Sequence, residues 1–169
     1  MSLLKIITYG HPTLRKDAEP VKEITEEIKK LAEDMFDTME EADGIGLAAP
    51  QVNKSIRLIV IALQHIDETM EPTAFINPEI IEKSEATDLM DEGCLSVPGI
   101  REDVVRYSKI TVKFTNMDGE EEIWEAEDML ARVFQHEMDH LNGVLFTDLI
   151  SPFKKQLVEG QLENLAKIS

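Results

Sequence analysis

The sequence of 169 residues contains a single cysteine, Cys94. One thiol cannot form a disulfide within its own chain, so a disulfide-stapled scaffold is excluded and a reducing compartment is expected. No apolar run is long enough to span a bilayer. The first residues, MSLLKIITYGHP, lack the apolar core and the cleavage site of a secretory signal. We therefore expect a cytoplasmic protein that does not associate with membranes.

Basic residues are also scarce, with 17 Lys and Arg against 34 Asp and Glu, which gives a formal net charge of -17. Such a surface repels the phosphates of nucleic acids, so DNA is not an expected partner. Internal repeats and low-complexity linkers are absent, and hydrophobic residues make up 43% of the chain. The length and composition predict one domain over residues 1–169.

Apolar spacing predicts three helices. Apolar residues recur every three or four positions over residues 25–42, where Thr25 can cap the start, and a second helix is predicted over residues 128–142. Ser151-Pro152 is typical of a helix start. The last helix is expected to carry one apolar stripe, formed by Phe153, Leu157, Val158, Leu162 and Leu165.

Strand signals lie between the predicted helices. Residues 57–63, RLIVIAL, predict a buried strand. Residues 74–76 predict a short strand that ends at an Asn77-Pro78 turn. Alternating apolar residues over 110–126, with Asp118-Gly119 between them, predict a hairpin. Together these elements indicate an α+β fold.

The clearest chemical signal is His136-Glu137-Met138-Asp139-His140 within a predicted helix. Residues four apart share a helix face, so His136 and His140 can bind one metal ion while Glu137 exchanges a proton with water beside it. The alternative interpretation is a helix with two exposed histidines and a carboxylate.

A catalytic site of this kind needs a third protein ligand. Cys94 is the candidate. Its segment, residues 92–98, contains a glycine and a proline that mark a strand edge or loop, although a free cysteine is often just a small buried residue. The segment from Gly44 to Gln51 offers glycines for close backbone approach and an amide that can donate to an oxyanion. It can also be a plain helix stop followed by a loop of small residues.

Three motifs occur in order: GIGLAAPQ at 44–51, EGCLSVP at 92–98 and QHEMDHLNG at 135–143. Together with TYGHPTLR at 8–15, they resemble the peptide deformylase family, specifically its bacterial type 1 members. Pro50 and Gly99 depart from the residues common in the family, threonine and an acidic residue. The resemblance implies a single α+β domain with antiparallel and mixed β-sheets around a central helix carrying HEMDH, plus a C-terminal helix.

The resemblance also implies an activity, the removal of the N-formyl group from the N-terminal methionine of newly synthesised polypeptides, with release of formate. Cys94, His136 and His140 would bind one divalent ion, Fe²⁺ natively, with Zn²⁺ or Ni²⁺ also able to occupy the site. Metal-bound hydroxide would attack the formyl carbon, with Glu137 as general acid and base.

Gln51 and the backbone N–H of Leu95 would stabilise the oxyanion. Helical spacing places Met129 and Val133 on the face of His136 and His140. The resemblance adds Ile45, Gly46, Glu92 and Arg101, and these six residues form the expected methionine pocket.

Two other interpretations remain open at the level of sequence. An endopeptidase with the same histidine pair needs a third ligand downstream, where Asp148 is the nearest carboxylate. A structural metal site needs a fourth protein ligand, and no second cysteine exists.

The resemblance also implies that the C-terminal helix approaches the ribosome. The alternative interpretation is that this helix only packs its apolar stripe on the domain. Here residues 151–169 have a formal surplus of only one positive charge, which predicts weak contact at most.

Overall fold

The computed structural model describes residues 2–168, so residues 1 and 169, the ends of the expected domain, lie outside the described residues. Three α-helices and seven strands follow one another in the described chain. They are α1 (Glu26–Glu41), β1 (Gly46–Ala48), β2 (Leu58–Ile61), β3 (Thr73–Lys83), β4 (Thr87–Cys94), β5 (Val97–Tyr107), β6 (Lys109–Thr115), β7 (Glu121–Glu127), α2 (Asp128–Leu141) and α3 (Pro152–Ile168).

Five strands form an antiparallel sheet in the order β1-β2-β3-β6-β7, and β4 pairs with β5 as a separate two-stranded sheet. A parallel bridge joins Glu19 to Ile56 outside these strands. This architecture confirms the predicted α+β class with a C-terminal helix. No helix among residues 2–168 combines the length and the apolar character needed to cross a membrane.

The large sheet lies between two helices. Leu58 and Val60 of β2 pack with α1, whereas Ile59 and Ile61 of the same strand pack with α2. Successive side chains of a strand point to opposite faces, so a strand covered on both faces must be apolar throughout. This explains why the run at residues 57–63 predicted β2 correctly.

The structure confirms the helix predicted over residues 25–42 and the hairpin predicted over residues 110–126. Thr25 caps α1, its Oγ accepting a hydrogen bond from the Ile28 N–H. Strands β6 and β7 form the predicted hairpin, and Gly119 has a φ of 85° in its loop. A residue without Cβ adopts that conformation at no steric cost.

The turn predicted at Asn77-Pro78 is wrong, because β3 continues through it. Asn77 has a φ of 50°, and the pairing with β6 shifts register between Ile76 and Glu79. The Asn77 amide accepts from the Val21 N–H and donates to the Val21 carbonyl, each at 2.8 Å. A proline, which cannot donate to a ladder, is tolerated at such a bulge.

The single apolar stripe predicted on α3 is also wrong. Val158 and Leu162 are buried and Leu165 is half-buried, but Phe153 and Leu157 are 68% and 64% exposed. At about 100° per residue, these five positions spread over roughly half of the helix circumference. Only one side of that arc meets the domain.

Strands β4 and β5 were not predicted, since residues 92–98 alone were expected at a strand edge or in a loop. Their burial does not alternate cleanly between core and solvent. The hairpin nonetheless brings Cys94, at the end of β4, against α2.

Candidate active site

Cys94, His136 and His140 converge at one point. The ligand atoms of these three side chains all lie within 4.8 Å of one another. Cys94 Sγ is 3.4 Å from His140 Nε2. The two histidines are one helical turn apart on α2, as predicted, and both are buried. Within the described residues, this is the group of His, Cys, Asp and Glu side chains placed to hold a metal ion.

A buried carboxylate orients His136. Glu92 Oε1 lies 2.8 Å from His136 Nδ1, which leaves the Nε2 atom to face the cluster. A partner of this kind fixes the tautomer and the ring orientation of a metal-binding histidine. The sequence predicted Glu92 only as a pocket residue, so this contact was missed.

Two arginines hold Glu92 in turn. Arg106 donates to both carboxylate oxygens, each at 2.9 Å, and Arg132 donates to Oε2 at 2.5 Å. Burial raises the pKa of Glu92, but the hydrogen bonds from Arg106 and His136 outweigh it and lower the pKa to about 2. Glu92 is therefore ionised at neutral pH. Neither arginine was recognised from the sequence, where each was an isolated basic residue.

Glu137 is buried beside the cluster. Its Oε1 atom has no hydrogen-bond partner among the described residues, and Oε2 lies 4.0 Å from His136 Nε2. Burial raises the pKa of this carboxyl to about 7. A group with such a pKa can accept and return a proton near neutral pH.

Gly46 of β1 leaves room for the Glu137 carboxyl, because it has no side chain. A Cβ at position 46 would lie 2.7 Å from Glu137 Oε2 and 2.8 Å from its Cγ. Gly46 thus permits a close approach of the Glu137 carboxyl to β1, whereas the sequence suggested a close approach of a ligand, which stays a prediction.

Gln51 is fixed at both ends of its amide. Its Oε1 accepts from the Ala48 N–H at 2.9 Å, and its Nε2 donates to Ser96 Oγ at 3.1 Å. The same nitrogen lies 3.5 Å from Cys94 Sγ. The amide nitrogen therefore faces the cluster. Ser96, fully buried, was not predicted as a site residue.

The electrostatics of the cluster suit a cation. Burial and the neighbouring His136 hold the pKa of His140 well below its ordinary value, so its imidazole is neutral. Burial lowers the pKa of His136, but Glu137, Cys94 and Glu92 raise it well above the ordinary value. Glu137, Cys94 and Glu92 therefore favour a positive charge beside the His136 imidazole. Two imidazoles and a thiol together fit a divalent transition-metal ion.

A cavity of about 630 Å³ opens beside the cluster, within the range of small-ligand sites. The structure brings all six predicted pocket residues to its lining, together with Gln51, Cys94, Leu95, His136 and Glu137. Val133 is buried in the wall, whereas Met129 is partly exposed and Arg101 pairs with Asp91 at the surface. His140 does not line this cavity.

Asp148 does not join the cluster. Its carboxylate forms two hydrogen bonds with the Arg15 guanidinium, at 2.6 and 3.1 Å, and accepts the Leu145 N–H at 3.0 Å. The third ligand that an endopeptidase of the histidine-pair type would need is therefore engaged elsewhere.

Comparison with known proteins gives one consistent result. The family model for polypeptide deformylase matches residues 3–156. The peptide deformylase of Acinetobacter baumannii is 47% identical over 167 residues, covering 99% of this chain and 94% of that protein. The chain also resembles the crystal structure of the peptide deformylase from Thermus thermophilus, with a TM-score of 0.90, 39% identity and 99% coverage of both chains. Another similar structure is the Ehrlichia chaffeensis peptide deformylase in complex with actinonin, with a TM-score of 0.89, 38% identity and coverage of 97% and 98%. This chain therefore belongs to the polypeptide deformylase family, the metal-dependent hydrolases that remove N-formyl groups from newly synthesised polypeptides.

Proposed function

We propose that Cys94, His136 and His140 are the metal ligands with which this deformylase acts on N-formyl-methionyl peptides. The observation that carries the proposal is the convergence of the three ligand atoms within 4.8 Å of one another, beside a cavity that Cys94 and His136 line. Three protein ligands leave a position for water or substrate, as in other catalytic sites. When bound, a divalent ion supplies Lewis acidity, which lowers the pKa of water at the site towards about 7.

Glu137 moves the proton. It takes a proton from the attacking water and delivers it to the methionine nitrogen as the formyl C–N bond breaks, so that formate and a free amine leave. Its unpaired Oε1 and its pKa of about 7 support this role. General acid–base catalysis of this kind contributes about a hundred- to ten-thousandfold in rate.

Gln51 and Leu95 stabilise the negative charge on the formyl oxygen. The Gln51 Nε2 atom faces Cys94 and is held by Ser96, so the donor needs no rearrangement at the moment of reaction. The Leu95 N–H directly follows the cysteine ligand in the chain. Losing one such donor typically lowers kcat by about a hundred- to a thousandfold.

The methionine side chain occupies the apolar part of the cavity. Ile45 and Val133 line it next to Glu137, and Met129 and Arg101 stand at its more exposed end. Glu92 also borders the cavity, although its carboxylate is engaged by arginines and His136.

Formate release from formyl-Met-Ala-Ser, measured beside cleavage of an internal peptide bond, tests the proposal. We expect release of formate by the metal-loaded protein, no endoproteolysis, and loss of both metal and activity in Cys94→Ala. Full metal content in Cys94→Ala would exclude the proposed ligand set. Peptide cleavage without formate release would exclude the reaction.

Fe²⁺ is the proposed native ion, with Zn²⁺ or Ni²⁺ as possible substitutes, since two imidazoles and one thiolate accept all three. If ferrous iron is bound, O₂ from air would oxidise it, and the reduced oxygen species formed there would oxidise the Cys94 thiolate. The iron form should lose activity in air much faster than the nickel or zinc form. Equal half-lives in air would contradict ligation of iron by Cys94.

The substrate also suggests where the protein acts. Nascent chains carry their formyl group where they are synthesised, which supports the cytoplasm as the compartment and the ribosome as a transient partner. Contact with the ribosome would run through α3 and be weak, because that segment carries little positive charge. DNA and membranes are not proposed as partners.

A further inference from the structure

Arg132 is a buried cation that the reaction itself does not use. It lies on α2 one helical turn before His136 and is 4% exposed. Its Nη1 donates to Glu92 Oε2 at 2.5 Å and to the Val104 carbonyl at 2.9 Å. Its Nη2 donates to the Asp88 carbonyl at 2.8 Å. One side chain therefore contacts β4, β5 and the carboxylate that orients His136.

These contacts join the two halves of the metal site. Cys94 is carried by the β4–β5 hairpin, whereas His136 and His140 are carried by α2. The three donors meet only if the hairpin is held at one position along the helix. Arg132 reaches the backbone of both strands from α2, and it does so from the turn that precedes the first histidine.

Arg106 performs only part of this task. It lies on β5 and pairs with Glu92 within the same hairpin, and its link to α2 is through Asp139, whose side chain is 29% exposed. Arg132 instead extends from the helix and presents a planar group with several donors. That planar fork fits the fixed positions of three acceptors at once. A lysine ammonium also has three donors, but it is a compact group that does not reproduce the fork.

We propose that Arg132 is a positioning residue of the metal centre, which sets the Cys94 hairpin against the histidines and holds Glu92 on His136 Nδ1. The inference rests on the proposed ligand set. Partners that orient a metal-binding histidine typically change metal affinity about ten- to a hundredfold when they are altered. Loss of Arg132 should therefore weaken metal binding itself, before any substrate is present.

Co²⁺ binding to the metal-stripped full chain tests this. Its affinity is measured by competition with a chelator, and the absorption of its thiolate complex reports the geometry at Cys94. The variants are Arg132→Met, which keeps the length of the side chain, and Arg132→Lys, which keeps its charge. Phe114→Ala is the matched control, because it removes a buried ring that packs on Phe75 and Trp124 in the distal core.

We expect Arg132→Met to bind Co²⁺ about ten- to a hundredfold more weakly, with an altered thiolate absorption. Arg132→Lys should fall between Arg132→Met and the wild type, and Phe114→Ala should keep wild-type affinity despite its lower melting temperature. Wild-type affinity and absorption in Arg132→Met would overturn the proposal. An equal loss in Phe114→Ala would also overturn it, by showing a general effect of lower stability.

Two further outcomes are distinguishable. If Arg132→Met does not fold, Arg132→Lys decides, and wild-type affinity in that variant overturns the proposal. If the wild type binds Co²⁺ no better than Cys94→Ala, the ligand set itself is wrong and the role of Arg132 falls with it. Formate release by the wild type, assayed separately, reports on the proposed function alone.

Discussion

Gly46 and Glu137 occupy adjoining space, and neither position tolerates much change. The glycine is required by the volume of the glutamate carboxyl, because a Cβ at position 46 would lie within 3.0 Å of three of the glutamate atoms. The proposed role of the carboxyl depends on its charge and its proton. The two requirements can be separated by substitution.

Glu137→Gln removes the proton-transfer group while keeping its shape. Deformylation should fall by at least about a hundredfold, because the amide cannot accept the proton of the attacking water. Metal content should stay near one ion per chain, since Glu137 is not in the proposed ligand set. Glu125→Gln, on the exposed side of β7, makes the same charge change and should keep full activity. Near-normal activity in a metal-loaded Glu137→Gln protein would contradict the assigned role.

Gly46→Ala should lower activity without removing any functional group. The added methyl displaces the Glu137 carboxyl, and a shift of about 1 Å in a catalytic group can reduce the rate by about a hundredfold. Steady-state kinetics of metal-loaded protein would show a fall mainly in kcat. Gly160→Ala is the control, because nothing lies within 4 Å of a Cβ there. Unchanged kcat in Gly46→Ala would mean that Glu137 has room to adjust.

At the scale of elements, polar contacts attach the β4–β5 hairpin to α2. The Gln135 amide accepts from the Tyr107 N–H and donates to the Tyr107 carbonyl, and Arg132 and Arg106 add charged contacts. The opposite side of α2 packs with the sheet through apolar residues such as Phe134 and Leu141. One face of the helix thus serves stability and the other holds the site.

The short segment that follows α2 is tied to the N-terminal segment by the ion pair of Arg15 and Asp148. Burial raises the pKa of Asp148, but the hydrogen bonds from Arg15 and from the Leu145 N–H lower it below its ordinary value of 3.8. A carboxyl whose pKa is depressed in the folded state stabilises that state above its unfolded pKa, and the contribution is lost as pH falls through the folded pKa.

Asp148→Asn should therefore lower the free energy of unfolding at pH 7 by about 1 kcal/mol or less, since the pair is partly exposed. The difference from the wild type should shrink as pH falls below about 4. Urea titrations at several pH values would measure it. Asp118→Asn, in the exposed loop of the β6–β7 hairpin, is the control. A difference that does not depend on pH would refute the ion-pair explanation.

At the scale of the whole molecule, the negative charge opposes contact with ribosomal RNA. The chain carries a formal charge of -17, and residues 151–169 carry a surplus of one positive charge, so the remainder carries -18. Lys154 is already paired with Glu102 at 3.1 Å. The exposed Phe153 and Leu157 add apolar surface to the same helix.

Ribosome affinity should be weak and should disappear at moderate salt. With three lysines at most in contact, the logarithm of the binding constant should fall by no more than about 3 for each tenfold rise in salt. Lys154 and Lys155 should supply most of the affinity, so substituting both by Ala should abolish it, whereas Lys113→Ala on β6 should not. Sedimentation with ribosomes across a salt series measures this. Tight binding that is insensitive to salt would contradict the charge argument.

Sequence alone determined the family, the α+β class, α1, β2, the β6–β7 hairpin and the histidine pair on α2. Each of these depends on local spacing: a period of 3.6 residues, a two-faced apolar strand, a turn glycine, or ligands one helical turn apart. The expectation of one domain over residues 1–169 stays a prediction.

Only the tertiary structure decided how Cys94 meets the histidines. Strands β4 and β5 are joined to α2 through charged and amide groups, so no apolar period marked them in the sequence. Glu92 lies 44 residues before His136, and contacts over such distances leave no local pattern. The bulge at Asn77 and the exposed Phe153 likewise depend on what each segment packs against, because local propensity is overridden wherever distant residues supply the partner.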